Sequence, residues 1–242
     1  MYNTRVGGIP NRLIIIPARG GSKRIPRKNL IDVCGSPIIS YSVRTAIESR
    51  LFQEILVSSD DQEILDYVRT LGNISPSKRP LELSGDYATV FSVLKHEYEI
   101  KKSLGITYDE IWLLSATACL LKEENLIGIA NAFSNSETAS AMLAVTEYEV
   151  PLQWAMSIDD KGKLRSLDFD SFKNRSQDLN KFYHDAGCLA VFSSSVFDEF
   201  EEGIPEGEFE PFILERNLAV DIDSQQDLEL VRALMARTKK LF

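Results

Sequence analysis

Five cationic side chains, Arg19, Lys23, Arg24, Arg27 and Lys28, fall within ten positions of this sequence, with Gly20 and Gly21 among them. Glycine lets the backbone approach a ligand without a Cβ clash and aim amide N–H groups at phosphate oxygens. Arginine neutralises such oxygens through a planar fork and lysine as a compact point charge. Pro26 stiffens the stretch and lowers the ordering cost of binding. The chemistry available is therefore the grip of a small polyanion. The spacing is not G-x-x-x-x-G-K-[ST], Pro26 stands where that motif starts a helix, and no G-x-G-x-x-G is present. Charge runs are ordinarily solvated faces; the glycines, and a position directly after an apolar run, set this one apart.

A second constellation lies far along the chain. Asp221-Ile222-Asp223 ends a strand-like run, and alternation puts both carboxylates on one face with Ile222 buried on the other. Two oxygen ligands on one face suit Mg²⁺ or Mn²⁺, which completes its shell with water and phosphate oxygens. The competing reading is a cap, supplied by Asp223 or Ser224, for the helix that follows. The two histidines carry less: His96 sits in a helical pattern as a structural residue, and His184 is open between site and scaffold. Cys34, Cys119 and Cys188 are odd in number and form no C-x-x-C pair, which argues against a disulfide framework or a zinc site and is compatible with a reducing cytoplasm.

The elements that must position these groups read as an α/β fold. Short apolar runs alternate with amphipathic stretches, the pattern of a three-layer, mainly parallel sheet with helices on both faces. Strands are expected at Leu13–Ile16, Glu54–Ser58, Ile111–Leu114, Ser140–Val145, Gly187–Phe192 and Leu218–Ile222. Helices are expected from Ile38 to Ser49 (Ser36-Pro37 supplying its cap and first turn), over Asp61–Thr70, Thr89–Lys102 and Glu123–Phe133, and from Gln226 to Arg237. Asn73–Asp86 reads as loop. Residues 148–183 read as a small β-rich excursion with a hairpin turn at Asp159-Asp160-Lys161-Gly162, of the kind where partner subunits dock. Ligands of an open parallel sheet bind beyond the carboxyl ends of its strands, which is where the basic loop falls.

Composition bounds the rest. Of 242 residues 44% are hydrophobic and 26% charged, and the net charge is −9; a surface coated by nucleic acid is not expected. The run Leu13–Ile16 is far too short to span a bilayer. Residues 1–12 read as a flexible extension without a signal-peptide core, and 13–242 as one domain. The expectation is a cytoplasmic protein with neither nucleic-acid nor membrane partners.

The stretch Ile16-Pro17-Ala18-Arg19-Gly20-Gly21-Ser22-Lys23-Arg24-Ile25-Pro26-Arg27-Lys28-Asn29 resembles the signature of the acylneuraminate cytidylyltransferase family, and the likeness covers nearly the whole chain after Arg12. The resemblance implies a nucleotide-diphospho-sugar transferase-like, Rossmann-like fold, magnesium (or manganese) dependence, a homodimer, and transfer of CMP from CTP to an acidic nine-carbon nonulosonic sugar. It implies further that Arg19, Ser22, Lys28 and Asn29 contact the CTP phosphates and ribose, that the backbone at Ala18 lies against cytosine, and that Asp221 and Asp223 hold the metal. Arg19, Lys28 and Asp223 would carry catalysis. Arg79-Pro80 with Leu83-Ser84-Gly85-Asp86 resembles a second nucleotide loop, bringing Arg79 and Ser84, and Ser115-Ala116-Thr117-Ala118-Cys119 a turn bringing Thr117. There Cys119 stands where the family has proline. Val57-Ser58-Ser59-Asp60 matches an element read as support. Asn174-Arg175-Ser176-Gln177-Asp178-Leu179 and Tyr183-His184-Asp185-Ala186-Gly187 resemble the branch that activates pseudaminic acid, with Arg175, Gln177, Tyr183, His184 and Asp185 as sugar contacts. Cys188 to Phe192 depart from that branch. Sialic and legionaminic acid remain alternative substrates, and a non-catalytic nucleotide-binding regulator is the alternative from another class.

Overall fold

Ile14 and Ile16 point to one side of the first strand and Leu13 and Ile15 to the other, and all four are fully buried. An apolar run covered on both faces belongs in the middle of a parallel sheet, and the computed structural model places it there. The structure describes residues 8–85, 87–200, 203 and 209–239. Its strands are β1 (Arg12–Pro17), β2 (Asp32–Val33), β3 (Ser36–Pro37), β4 (Glu54–Ser59), β5 (Ser75–Lys78), β6 (Glu110–Leu114), β7 (Ala141–Glu147), β8 (Met156–Ile158), β9 (Leu164–Ser166), β10 (Tyr183–Ser193) and β11 (Phe209–Ile213). Its helices are α1 (Ile39–Ser49), α2 (Gln62–Arg69), α3 (Val90–Ser103), α4 (Glu123–Asn135), α5 (Val196–Glu199) and α6 (Gln225–Lys239).

Seven strands form one sheet in the order β11-β7-β10-β6-β1-β4-β5. All its pairings are parallel except those of β10, which runs antiparallel to both neighbours. Helices α1, α2 and α4 cover one face through Val43, Ile64, Val68, Ile129 and Phe133. Helices α3 and α5 cover the other through Leu94, Tyr98, Val196 and Phe197. Helix α6 stands apart: Leu228 and Val231 pack with Ile25, Val33, Ile38, Cys119 and Ile222 in a third cluster. That cluster ties the C-terminal helix to the basic loop.

The structure corrects several expectations. Asn73–Asp86 is not all loop, because Ser75–Lys78 pairs in parallel with β4; Asp86 itself lies outside the described residues. The last strand is Phe209–Ile213, paired with β7, whereas Leu218–Ile222 joins no sheet and begins in a single 3₁₀ turn, Arg216–Leu218. Both overlooked strands lie at sheet edges and contain a proline, Pro76 or Pro211, tolerated there because an edge strand has amides with no ladder partner. Ser36-Pro37 does not cap α1; it pairs with Asp32–Val33 in a small hairpin, and α1 begins after Ile38 without a side-chain cap. The excursion is less β-rich than expected, with only β8 and β9 paired around the Asp159–Gly162 turn. Of the proposed extension, residues 1–7 lie outside the described residues. Asn11 is fastened to Asp109 Oδ2 at 2.7 Å, and Arg12 already belongs to β1.

Candidate active site

The basic loop leaves β1 at the carboxyl edge of the sheet and is pinned at its start. The Ala18 N–H donates to the Ser58 carbonyl at 2.8 Å, and Gly20 N–H to Asp60 Oδ1 at 2.9 Å. A Cβ at Gly20 would meet Asp61 Cβ at 2.7 Å, so the close approach of loop to β4 requires glycine here. Asn29, nearly buried, donates from Nδ2 to the Arg19 carbonyl at 2.9 Å and closes the loop on itself. Ile25 drops into the α6 cluster. Arg27 adopts a left-handed conformation (φ 55°) and turns to Glu63 Oε2 at 2.6 Å, away from the other cations.

The loop then meets the distant acidic pair. Lys28 Nζ donates to the Ile222 carbonyl at 2.6 Å and lies 3.6 Å from Asp223 Oδ1, which Arg24 Nη2 contacts at 2.8 Å. Arg19, Ser22, Lys23, Arg24, Ile25, Lys28, Asn29 and Asp223 line a cavity of about 210 Å³. Ile222 is fully buried between the two aspartates, so the expected alternation holds without a strand. The capping question is also decided. Ser224 Oγ accepts the Asp227 N–H at 3.3 Å, while Asp227 Oδ2 accepts the N–H groups of Ser224 and Asp223 at 2.7 and 3.0 Å. This reciprocal box caps α6 and leaves the Asp223 carboxylate to the cavity.

Asp221 is exposed but hemmed in: partial loss of hydration, and then the charge of Asp223, raise its pKa above the ordinary carboxylate value, against the pull of Lys28 and Arg24. It adjoins the start of β10, where a Cβ on Gly187 would lie 3.9 Å from Asp221 Oδ2. Gly187 (φ 65°) forms part of a bulge between Asp185 and Ala190, and Asp185 Oδ1 accepts its N–H at 2.7 Å. Among the described residues no group of three or more His, Cys, Asp or Glu side chains is placed to hold a metal. Two carboxylates with further ligands drawn from bound phosphate and water are nevertheless the set a hard divalent cation uses, so Asp221 and Asp223 fit such an ion. Burial pushes the Cys119 and Cys188 thiols up to about 12, which keeps both protonated and unsuited to thiolate chemistry.

The remaining candidates fall into separate groups. Thr117 stands on the turn after β6, its Oγ1 3.0 Å from Ser115 Oγ. Arg79 lies beneath the loop rather than in the cavity, buried and donating to the Ser58 carbonyl at 3.1 Å. Ser84 Oγ donates to the Pro80 carbonyl at 3.1 Å. Tyr183, His184 and Asp185 open β10 at the same sheet edge, with the His184 ring edge-on to Tyr148 at 4.9 Å. Arg175 is on the excursion, paired with Asp178 at 2.9 Å, and the exposed Gln177 lies beside it; neither lines the cavity. Lys23 and Arg24 do line it, although sequence reasoning singled out only Arg19 and Lys28 among the loop cations. Asp60, the acceptor for Gly20, ends the Val57-Ser58-Ser59-Asp60 stretch that the sequence marked as support.

The loop of cations and glycines beyond the central strand is thus joined to Asp223, with Asp221 within reach of the same cations. Residues 13–163 match the family described as Cytidylyltransferase. The chain belongs to that family. This cytidylyltransferase is 42% identical over 222 residues to pseudaminic acid cytidylyltransferase of Campylobacter jejuni, covering 92% of the chain and 95% of that protein. It is 26% identical over 224 residues to CMP-N,N'-diacetyllegionaminic acid synthase of Legionella pneumophila, covering 92% and 95%. Among solved structures, CMP:2-keto-3-deoxy-manno-octonic acid synthetase complexed with CTP superimposes with a TM-score of 0.67 over 94% of the chain and 99% of that one, at 17% identity, and the two share a fold. The enzyme is a nucleotidyltransferase.

Proposed function

We propose that the enzyme transfers CMP from CTP to a nine-carbon 2-keto acid sugar, pseudaminic acid, and releases pyrophosphate. The observation that carries this reading is the convergence of Lys28 and Arg24 on Asp223 across some 195 residues of chain, at the carboxyl edge of the sheet. The anomeric hydroxyl oxygen of the sugar attacks the α-phosphorus in line and gives up its proton to solvent water; the bond from that phosphorus to the oxygen bridging to the β-phosphate breaks, and pyrophosphate departs with that oxygen. The protein supplies alignment and charge stabilisation. Gly20 and Gly21 bring the backbone close to the phosphates, and Arg19 and Lys28 meet charge that grows on the α-phosphoryl and leaving groups. A magnesium or manganese ion held by Asp221 and Asp223 would neutralise triphosphate charge. Tyr183, His184 and Asp185 lie on the same edge for the sugar. The choice of pseudaminic acid rests on the relative of that name and on the Arg175–Leu179 and Tyr183–Gly187 segments.

The enzyme acts as a homodimer in the cytoplasm on this reading. In support, Met156, Ile158 and Leu164 of the β8–β9 hairpin expose 51%, 73% and 64% of their surface, an apolar face suited to a second copy. Among the described residues no helix is long and apolar enough to cross a membrane.

Pyrophosphate release from CTP and magnesium, measured with pseudaminic, legionaminic and N-acetylneuraminic acids, tests the assignment. The highest kcat/KM is expected with pseudaminic acid. Lys28→Ala should lower it by at least about 10²-fold with native circular dichroism retained. Binding of CTP without release in the presence of any of the three sugars would defeat the enzymatic reading.

A further inference from the structure

One carboxylate oxygen at the cavity serves two side-chain cations. Arg24 Nη2 stands 2.8 Å from Asp223 Oδ1 and Lys28 Nζ 3.6 Å from the same atom. A divalent cation on the Asp221–Asp223 pair needs that carboxylate. A guanidinium at contact distance competes for the oxygen and repels the ion as a like charge. One of the two side chains therefore has to give way before the pair can take a metal.

The surroundings decide which. Lys28 is tied a second time, to the Ile222 carbonyl at 2.6 Å, and its side chain is only 20% exposed. The Arg24 side chain is 69% exposed, and Asp223 is its one ion-pair partner among the described residues. An exposed pair of this kind is weak and readily exchanged. The backbone need not follow. Ile25, next along the chain, is buried in the α6 cluster, and the Asp223 N–H is held by Asp227 Oδ2 at 3.0 Å. Rotation of the Arg24 side chain is enough to part the two. Its alternative partner is close by, since Arg24 lines the cavity together with Arg19, Ser22, Lys28 and Asn29. A guanidinium fork grips phosphate as well as it grips carboxylate.

We propose that Arg24 is an exchangeable counter-ion: it holds Asp223 in the empty enzyme and passes to the triphosphate when CTP binds, which opens Asp223 to the divalent cation. Nucleotide and metal then favour each other through one side chain, and metal offered alone is resisted. Lys28 stays on the Ile222 carbonyl throughout. The inference rests on the basic loop being the CTP site and on Asp221 and Asp223 holding the metal.

Direct binding tests this without turnover. Mn²⁺ is titrated into nucleotide-free enzyme and the free ion is followed by electron paramagnetic resonance. Arg24→Gln should bind Mn²⁺ about two- to fivefold more tightly than wild type. Arg27→Gln removes an equal charge from the same loop, but one paired with Glu63, and should change the affinity by less than about 1.5-fold. CTP binding is then measured by calorimetry in EDTA. Asp223→Asn releases Arg24 and should tighten metal-free CTP binding about two- to fivefold; in the Arg24→Gln background that gain should shrink at least about twofold. Equal Mn²⁺ affinity in wild type and Arg24→Gln would overturn the proposal. So would an equal gain in Arg27→Gln, since diffuse loop charge would then account for the effect. An undiminished Asp223→Asn gain in the Arg24→Gln background would show that Arg24 does not pass to the nucleotide, and overturns it too. Wild-type enzyme that binds no CTP, or Mn²⁺ affinity that survives both Asp221→Asn and Asp223→Asn, sinks the parent reading and this inference with it, an outcome distinct from the other three.

Discussion

Asp221 and Asp223 are two positions apart and occupy different electrostatic surroundings. Asp223 is held by Arg24 and Lys28, while Asp221 is crowded, with its pKa raised by lost hydration and by Asp223. The sign follows: a carboxyl with a raised pKa favours the fold when protonated, and that contribution is lost as pH rises through the raised pKa. A divalent cation needs the ionised form. The magnesium concentration for half-maximal turnover should therefore rise as pH is lowered toward the raised pKa of Asp221. Asp221→Asn should abolish this magnesium response and raise the melting temperature at neutral pH by about 1–2 °C. Asp223→Asn should abolish the response as well, and lower the melting temperature by leaving two cations without their partner. Unchanged magnesium titrations in both variants would remove the pair from the metal site. The spacing of the two carboxylates was legible in the sequence, while their reading as a metal site drew on the basic loop and the family resemblance as well. Capping by Asp223 or by Ser224 stayed open in the sequence, and the Ser224–Asp227 box gives that duty to Ser224.

At the scale of elements, legibility followed burial. Strands β1, β4 and β6 are covered on both faces and announce themselves as apolar runs. The edge strands β5 and β11 carry proline and polar residues because half of their backbone groups face no neighbour, and a pattern search passes over them. The order of the strands depends on contacts the periodicity does not record. One is at the opening of β1 and β6, where Arg12 Nε lies 2.8 Å from Glu110 Oε2 and both side chains are almost wholly buried. Trp112 Nε1 donates to the same oxygen at 3.0 Å. Removing one partner of a buried pair leaves an uncompensated charge, so Glu110→Ala should destabilise by about 3–5 kcal/mol. That corresponds to a fall of roughly 6–20 °C in melting temperature, with normal turnover per folded molecule well below the transition. A melt within about 2 °C of wild type would show that the pair carries no such weight.

For the whole molecule, the excursion is a segment that leaves several large apolar side chains exposed. Ile158, Leu164, Leu167 and Phe169 are each more than half exposed within one short segment, and a surface of that kind is normally covered by another protein surface. Light scattering should give twice the chain mass of 27.2 kDa, and the double substitution Ile158→Asp with Leu164→Asp should give a monomer. A wild-type monomer at assay concentration would end the dimer proposal. By itself the sequence determined the layers of the fold and marked out the basic glycine loop and the acidic pair, because hydrophobic period, glycine placement and charge are local properties read within a few residues. Only the tertiary structure decided that Lys28 and Arg24 lie against Asp223, that Arg79 braces the loop from beneath instead of lining the cavity, and that Leu218–Ile222 stays outside the sheet. Those outcomes depend on how α6 and the loop share one apolar cluster through Ile25, Ile222 and Leu228, a meeting between distant segments that no local pattern encodes.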